Sequence, residues 1–348
     1  MACIDKIWYE KSPYAVVGSL ILRPLSWVFA LCSALRRMLY EQGVLKSSAP
    51  LVPVIIVGGL SAGGSGKTPL CVALIKELQR RGYKVGLLSR GYRAKAQQFP
   101  WRVMADGDAV TCGDEPLLIK RQTGAEVVID PKRPRGAFYL ASLGVDVIIC
   151  DDGLQHYALK RDGEIVVVDG VRMFGNKKLL PSGPLREGLW RLKKVDEVVI
   201  NGAVAKLGYN TMVLHPTAPI ALDGSAITVP KGAKVIALAG IGNPTRFYKT
   251  LEDFGFAIAE VLTVGDHGTL PCSKIATAAQ RYPVIMTAKD AIKYEGQKLA
   301  NVFVLNVEAF LAPAFYDGVE QLIKSATNRI ELRARRQQAQ GAQGNKHE

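Results

Sequence analysis

Residues 52–81 read VPVIIVGGLSAGGSGKTPLCVALIKELQRR. A β-branched apolar run at 52–57 leads into a turn of small residues, and a stretch from about 67 to 81 follows with apolar positions at helical spacing. A strand, a Gly-rich turn and a helix N-terminus in that order form a cradle for polyphosphate. Backbone N–H groups converge on the anion, and the helix dipole favours negative charge there. The core of the turn places Ser61, Ala62, Gly63, Gly64, Ser65, Gly66, Lys67 and Thr68 as nucleotide-binding positions. Lys67 would reach the β- and γ-phosphates of ATP, and the Thr68 hydroxyl would bind Mg²⁺. Pro69 is tolerated because first-turn N–H groups have no intrahelical partner. The loop departs from GxxxxGK(S/T) only at its first position, Ser61. Gly64-x-Gly66 lacks the third glycine of a dinucleotide fingerprint, and Ala62 stands where the deviant loop of partitioning ATPases requires Lys.

Outward from this segment, apolar runs alternate with helical stretches. The runs lie at 85–88, 127–129, 145–150, 165–168, 198–200, 235–239, 284–286 and 302–305, and several end in small or polar residues. This alternation predicts an α/β fold with a largely parallel sheet of buried strands. Ligands then collect beyond the carboxyl ends of those strands. The expected organisation is an N-terminal amphipathic membrane-associated helix at 1–40, a P-loop nucleotide-binding domain at 41–205 and a linker at 206–232. A second, smaller α/β domain follows at 233–328, and a disordered polar tail at 329–348.

The run at 145–150 delivers Asp151 and Asp152 to a strand end, where P-loop proteins keep the second carboxylate of their Mg²⁺ site. The alternative is an Asp pair that merely opens the turn before Gly153. Adjacent side chains in an extended segment point opposite ways, so both are not expected on one metal.

The 348 residues carry 45 Lys+Arg against 31 Asp+Glu, a net charge of +14, which implies acidic partners. Aromatics are 7% and do not interleave with basic residues, so nucleic acid is not an expected partner. The six Cys match no zinc or disulfide spacing, and the four His are scattered.

Residues 12–35, SPYAVVGSLILRPLSWVFALCSAL, have serines at 12, 19, 26 and 33. With Arg23, Ala30 and Arg37 beside them, these occupy a stripe of about 80° on a helix, and the rest of the surface is apolar. Such a helix suits in-plane membrane insertion with Arg and Trp anchors. Docking on the protein's own core is the alternative. The longest charge-free stretch is short for a span, and Pro24 would kink or split the helix.

Further motifs are SRGY at 89–92, GDEP at 113–116, DDGLQHYALKRDGEIVVVDG at 151–170, FGNKKLLPSGPLRE at 174–187 and TAKDAIK at 287–293. With SAGGSGKTP, and in this order along nearly the whole chain, they make the sequence resemble tetraacyldisaccharide 4′-kinase, the lipid A 4′-kinase of Gram-negative bacteria. The resemblance implies a P-loop kinase core that moves the ATP γ-phosphate to the 4′-hydroxyl of a tetraacylated glucosamine disaccharide 1-phosphate. It also implies a site between two α/β domains at the cytoplasmic face of the inner membrane, with an anionic membrane surface and no obligatory protein partner. Asp114 matches the family's general base and His267 the histidine paired with it. Asp151, Asp152, Gln155 and His156 match positions near the metal and phosphates. Arg133, Arg186 and Glu187 match substrate-binding positions. Asp114 as a helix cap, His267 as a turn residue and Arg133 in a solvated basic loop are the competing readings. A membrane-associated nucleotide switch without a small-molecule acceptor is the alternative function; it would need neither Asp114 nor Arg186.

Overall fold

The computed structural model describes residues 3–202, 208–241, 244–265 and 268–344, with side chains through 336. Three helices open the chain: α1 (Cys3–Tyr9), α2 (Pro13–Ile21) and α3 (Arg23–Glu41). Helices α2 and α3 meet at Leu22 with a bend of 53°. Pro24 sits in the first turn of α3, where its missing N–H costs nothing. The expected single helix at 1–40 is therefore three, divided where Ser12 caps α2 and where proline cannot continue a ladder.

The phosphate-loop strand β1 (Val54–Gly58) lies inside a nine-stranded sheet. The first half of the chain supplies α4 (Lys67–Arg80), β2 (Val85–Ser89), β3 (Trp101–Val103), α5 (Ala109–Cys112), α6 (Asp114–Thr123), β4 (Glu126–Ile129), α7 (Arg133–Ser142) and β5 (Val147–Asp151). Next come β6 (Gly163–Asp169), β7 (Glu197–Asn201) and β8 (Asn210–Pro216). Then β9 (Ile220–Ala221), β10 (Lys234–Ala239), α8 (Pro244–Phe254), β11 (Ala257–Thr263), α9 (Cys272–Ala279), β12 (Val284–Thr287), α10 (Ala288–Ala291) and β13 (Val302–Leu305) build a second sheet. The chain ends with β14 (Val307–Phe310) and α11 (Pro313–Gly344).

The large sheet runs β14-β8-β7-β6-β1-β5-β2-β4-β3. Its pairs are parallel except at the two edges, where β3 and β14 run antiparallel to their neighbours. The sheet is thus mixed. Strands β1, β2, β5 and β6 are buried at every residue, because helices cover both faces. One face carries α4, α6 and α11 through Leu74, Leu117, Phe315 and Val319, and the other carries α7 through Ala137 and Leu140. The smaller sheet runs β11-β10-β12-β13-β9 and is parallel except for β9.

Three boundary expectations are corrected. The segment 206–232 is more than a linker: β8 joins the large sheet beside β7, and β9 joins the small one beside β13. Its scattered Pro and Gly hid two short pairings whose partners are remote in sequence. The second unit does not run to 328, since β14 pairs with β8 and α11 packs on the large sheet. The tail from 329 continues α11 rather than fraying at once. Its Arg, Gln and Ala residues are good helix formers that extend an already anchored helix.

Candidate active site

The ends of β1, β2, β5 and β7 open on a cleft of about 1140 Å³ between the two sheets. That exceeds the space one small ligand fills and has room for two. Gly63, Gly64, Ser65, Gly66, Lys67 and Thr68 all line it. Gly63 and Gly66 have positive φ, of 106° and 95°, which lets the loop wrap back toward the start of α4. At Gly66 any Cβ would fall 2.1 Å from Asn201 Nδ2, whereas beside Gly64 there is open space. The Ser65 hydroxyl is buried with no hydrogen-bond partner. An orphaned buried donor in a loop of small residues fits an anion that is yet to arrive.

Ser61 and Ala62 are not in this cleft. They face a small hollow on the outer side of the loop, beside Asp169 and Arg172. Their backbone is occupied by the segment that follows Phe174: the Ala62 N–H donates to Pro184 O at 2.8 Å, and Ser61 bridges to Leu185. Of the stretch expected from Ser61, it is Gly63–Thr68 that line the cleft.

Asp151 ends β5 and Asp152 follows in the left-handed region, at φ 47°. The two carboxylates have different partners. Asp151 is buried, with the Cys71 thiol 3.8 Å away on α4. Asp152 lies 3.5 Å from Lys67 Nζ and accepts from Arg186 Nη1 on both oxygens at 3.0 Å. Burial pushes the Asp151 carboxyl up to about 7, with Glu115 and Asp152 adding repulsion. Burial also acts against ionisation of Asp152, but Lys67 and Arg186 outweigh it and hold that carboxyl at about 2.

Arg133 is only 1% exposed, so it is no solvated loop residue. It donates to Asp151 O at 3.0 Å and Asp130 O at 3.2 Å, bracing the strand end from beneath. Glu187 is likewise turned inward. It accepts from Tyr157 OH and from Gln155 Nε2, the latter at 3.1 Å, and so fixes the turn after Asp152. His156 lines the cleft; burial, then Arg133, Arg90 and Arg36, push its pKa down to about 4, leaving a neutral imidazole at neutral pH.

Asp114 opens α6 after Gly113, which takes the cap position, and faces the same cleft. Lys293, just after α10, approaches it at 3.6 Å and also donates to Gly268 O at 3.1 Å. Lys293 therefore stands between Asp114 and Gly268 O. His267 itself lies outside the described residues. Next to Asp114, Glu115 accepts from Lys289 Nζ at 2.8 Å. Lys289 and Lys293 belong to the quoted TAKDAIK motif, but no side-chain role was assigned to them from sequence. Their i, i+4 spacing, which puts both on one helical face, was the signal available.

Helix α3 closes one side of the cleft with Phe29, Cys32, Ser33 and Arg36. The serine stripe is a dock rather than an outward face. Ser19 Oγ meets Ser182 Oγ at 2.9 Å, and Ser26 Oγ donates to Leu179 O at 2.8 Å. The apolar flanks point away from the protein, with Ile21 71% and Leu31 69% exposed. Among the described residues no single helix is long and apolar enough to cross a membrane; the bent pair α2–α3 reaches that length and composition only together.

The family model for tetraacyldisaccharide-1-P 4′-kinase matches residues 18–324. A Shewanella tetraacyldisaccharide 4′-kinase is 44% identical over 315 residues, covering 90% of this chain and 92% of the relative. A Vibrio parahaemolyticus protein of the same name is 43% identical over 323 residues, covering 92% and 96%. A crystal structure of the Aquifex aeolicus protein of this family, in complex with ATP, superposes with a TM-score of 0.70 at 27% identity, covering 88% of this chain and 99% of that one.

Proposed function

This chain belongs to the tetraacyldisaccharide 1-phosphate 4′-kinase family, and from that premise we propose how its own residues carry the reaction. It is an ATP-dependent lipid kinase that phosphorylates tetraacyldisaccharide 1-phosphate at the 4′ position, a step of lipid A biosynthesis. The 4′-oxygen bonds to the γ-phosphorus while the bond to the β–γ bridging oxygen breaks. ADP leaves, and the hydroxyl proton passes to a base.

One observation carries the residue assignment. The phosphate loop, the Lys67–Asp152–Arg186 cluster and Asp114 all face one cleft large enough for both substrates. Phosphoryl transfer is mainly positioning and charge neutralisation. The N–H groups of Gly63–Thr68 and the Lys67 ammonium hold the triphosphate. Asp114 accepts the sugar proton, with His267 as the expected partner. Arg186, tied to Asp152, has remaining donors for a phosphate. Arg133 and Glu187 support substrate binding from behind, through the backbone of Asp151 and through Gln155.

The hard oxygens of Thr68 and of one of the pair Asp151 and Asp152 suit Mg²⁺, which would keep few protein ligands. The raised Asp151 carboxyl fits that role, since a nearby cation would ionise it. When bound, Mg²⁺ neutralises charge on the β- and γ-phosphates.

The exposed apolar flank of α2–α3 supports peripheral attachment to the cytoplasmic leaflet, with the serine dock holding the cleft beside it. Placing Glu at Val17, Leu20 and Val28 together spares the dock and puts three charges on that flank. The triple variant is expected to leave the pellet in vesicle sedimentation while still phosphorylating detergent-dispersed acceptor. Sedimentation like that of the unaltered protein would end the membrane assignment. The kinase reading itself is tested by incubating purified protein with Mg·ATP and tetraacyldisaccharide 1-phosphate and reading the 1,4′-bisphosphate by mass spectrometry. Absence of that product would overturn it.

A further inference from the structure

The turn after β5 carries Asp152, Gln155 and His156 into the cleft, yet residues 152–158 belong to no helix or strand. A set of ionic groups holds the turn instead. Arg161 takes it by the backbone. Its Nη1 donates to Leu154 O at 2.8 Å, and its Nη2 donates to His156 O and, at 3.1 Å, to Leu159 O. Glu187 takes it by the side chains, accepting from Gln155 Nε2 and Tyr157 OH. Glu187 directly follows Arg186, whose guanidinium holds Asp152. Two adjacent residues therefore fasten both ends of the turn.

The charge of Glu187 is faced by Arg191. That residue sits on a short 3-10 helix, Leu189–Lys193, and is 5% exposed. Its Nε stands 3.7 Å from Glu187 Oε2 and is buried without a hydrogen-bond partner. Its Nη2 donates to Glu164 Oε1 on β6, which also accepts from Arg161 Nη1 at 3.0 Å. Glu164 and Glu187 are buried as well. Arg161, Glu164, Arg191 and Glu187 thus form a chain of alternating charge that encloses the turn from below. Burial works against the Arg191 charge, but Glu164, Tyr157 and Glu187 outweigh it and raise its pKa. Burial and the bond to Glu187 raise the Tyr157 phenol, which therefore stays a donor. Apolar packing of the same volume is often the more stable choice, so stability alone does not account for four charges here. What the guanidinium fork adds is a fixed direction between two carboxylates.

We propose that Arg191, which does not line the cleft, is a positioning residue for phosphoryl transfer: by holding Glu187 it fixes the turn 152–157 and with it the placement of Asp152 and His156. The proposal rests on the kinase reading above and extends the catalytic support to a residue beneath the site.

The test is a double-substitution cycle read in kcat. Arg191→Lys keeps the charge, but one ammonium cannot reproduce the planar fork between Glu164 and Glu187. It is expected to lower kcat about 10–100-fold, the size of a misplacement of about 1 Å near the reacting atoms, with the Kd for Mg·ATP within about twofold. Glu187→Gln is expected to lose at least as much. The double variant should lose no more than Glu187→Gln alone, because Arg191 acts through Glu187. Arg81→Lys is the control for stability. It weakens the pairs with Glu77, Asp317 and Glu320 at the far end of α4, and should lower the melting temperature with kcat unchanged. A kcat for Arg191→Lys within about twofold of the unaltered enzyme would overturn the proposal. So would losses that multiply in the double variant, or an equal loss in Arg81→Lys. An Arg191→Lys protein that does not fold would make the residue structural and overturn it too. Each of these results with an active unaltered enzyme leaves the kinase assignment standing; an unaltered enzyme that makes no bisphosphate would remove that assignment instead.

Discussion

Replacing Lys67 by Ala is expected to lower 4′-phosphorylation about a thousandfold. The ammonium starts α4 in the cleft, 3.5 Å from Asp152, with its charge directed at the phosphate site. Charge that builds on the β–γ bridge during transfer has to be met by groups already in place. Loss of one such donor in a water-poor site costs about 10²–10³ in rate, and Lys67 also contributes to binding the ground-state triphosphate. Asp152 would keep Arg186 as a partner, so the turn should survive the change. The measurement is kcat/KM from labelled ATP, with unliganded thermal melting as a control on folding. A variant retaining a tenth or more of the activity would mean that Lys67 does not hold the transferred phosphate.

The Asp114→Ala variant is expected to lose about 10²–10⁴ in kcat, the usual worth of a positioned general base, with the Kd for Mg·ATP nearly unchanged. The reason for the split is placement. Asp114 begins α6, whereas the Gly-rich loop leads into α4, so the two stand on separate helices that line one cleft. Asp114 also lies 3.6 Å from Lys293, so alanine removes a contact between the two sheets as well as a base. Two further variants separate these effects. Asp114→Asn keeps the size and loses the basicity, so it should be nearly as inactive as alanine. Lys293→Ala removes that contact, together with the amine's bonds to Gly268 O and Asp290 Oδ1, but no base, so it should retain most of kcat. Full activity in Asp114→Asn would place the base elsewhere; collapse of ATP binding in either Asp114 variant would make its role structural.

The phosphate loop and its flanks were readable in the sequence because everything they need is local. The run at 54–58, the small residues and the apolar positions of α4 lie within thirty residues. The place of Asp151 and Asp152 at a strand end was equally plain, since the apolar run before them is itself local. What sequence reading missed depends on remote partners. Arg133 was matched to a substrate-binding position with a solvated basic loop as the competing reading, and only the fold shows it buried beneath β5, donating to Asp151 O. The serine stripe was seen, but only the structure supplies Ser182 and Leu179 as its acceptors. Arg191 carries no local signature, because its meaning comes from a meeting with Glu164 of β6. Strand β14 escaped notice for a similar reason: four residues that pair with β8 are too short to stand out alone.

The return of β14 and α11 to the large sheet bears on how the protein is made. Phe315, Val319 and Ile323 cover the face on which α4 lies, and they are translated after every strand of the smaller sheet. A ribosome releases the loop-bearing half first, yet that half stays unfinished, one flank bare, until α11 is read. The inserted lobe can fold while its host waits. Loss of α11 would therefore strip the face on which α4 lies, although the two helices are remote in the linear map.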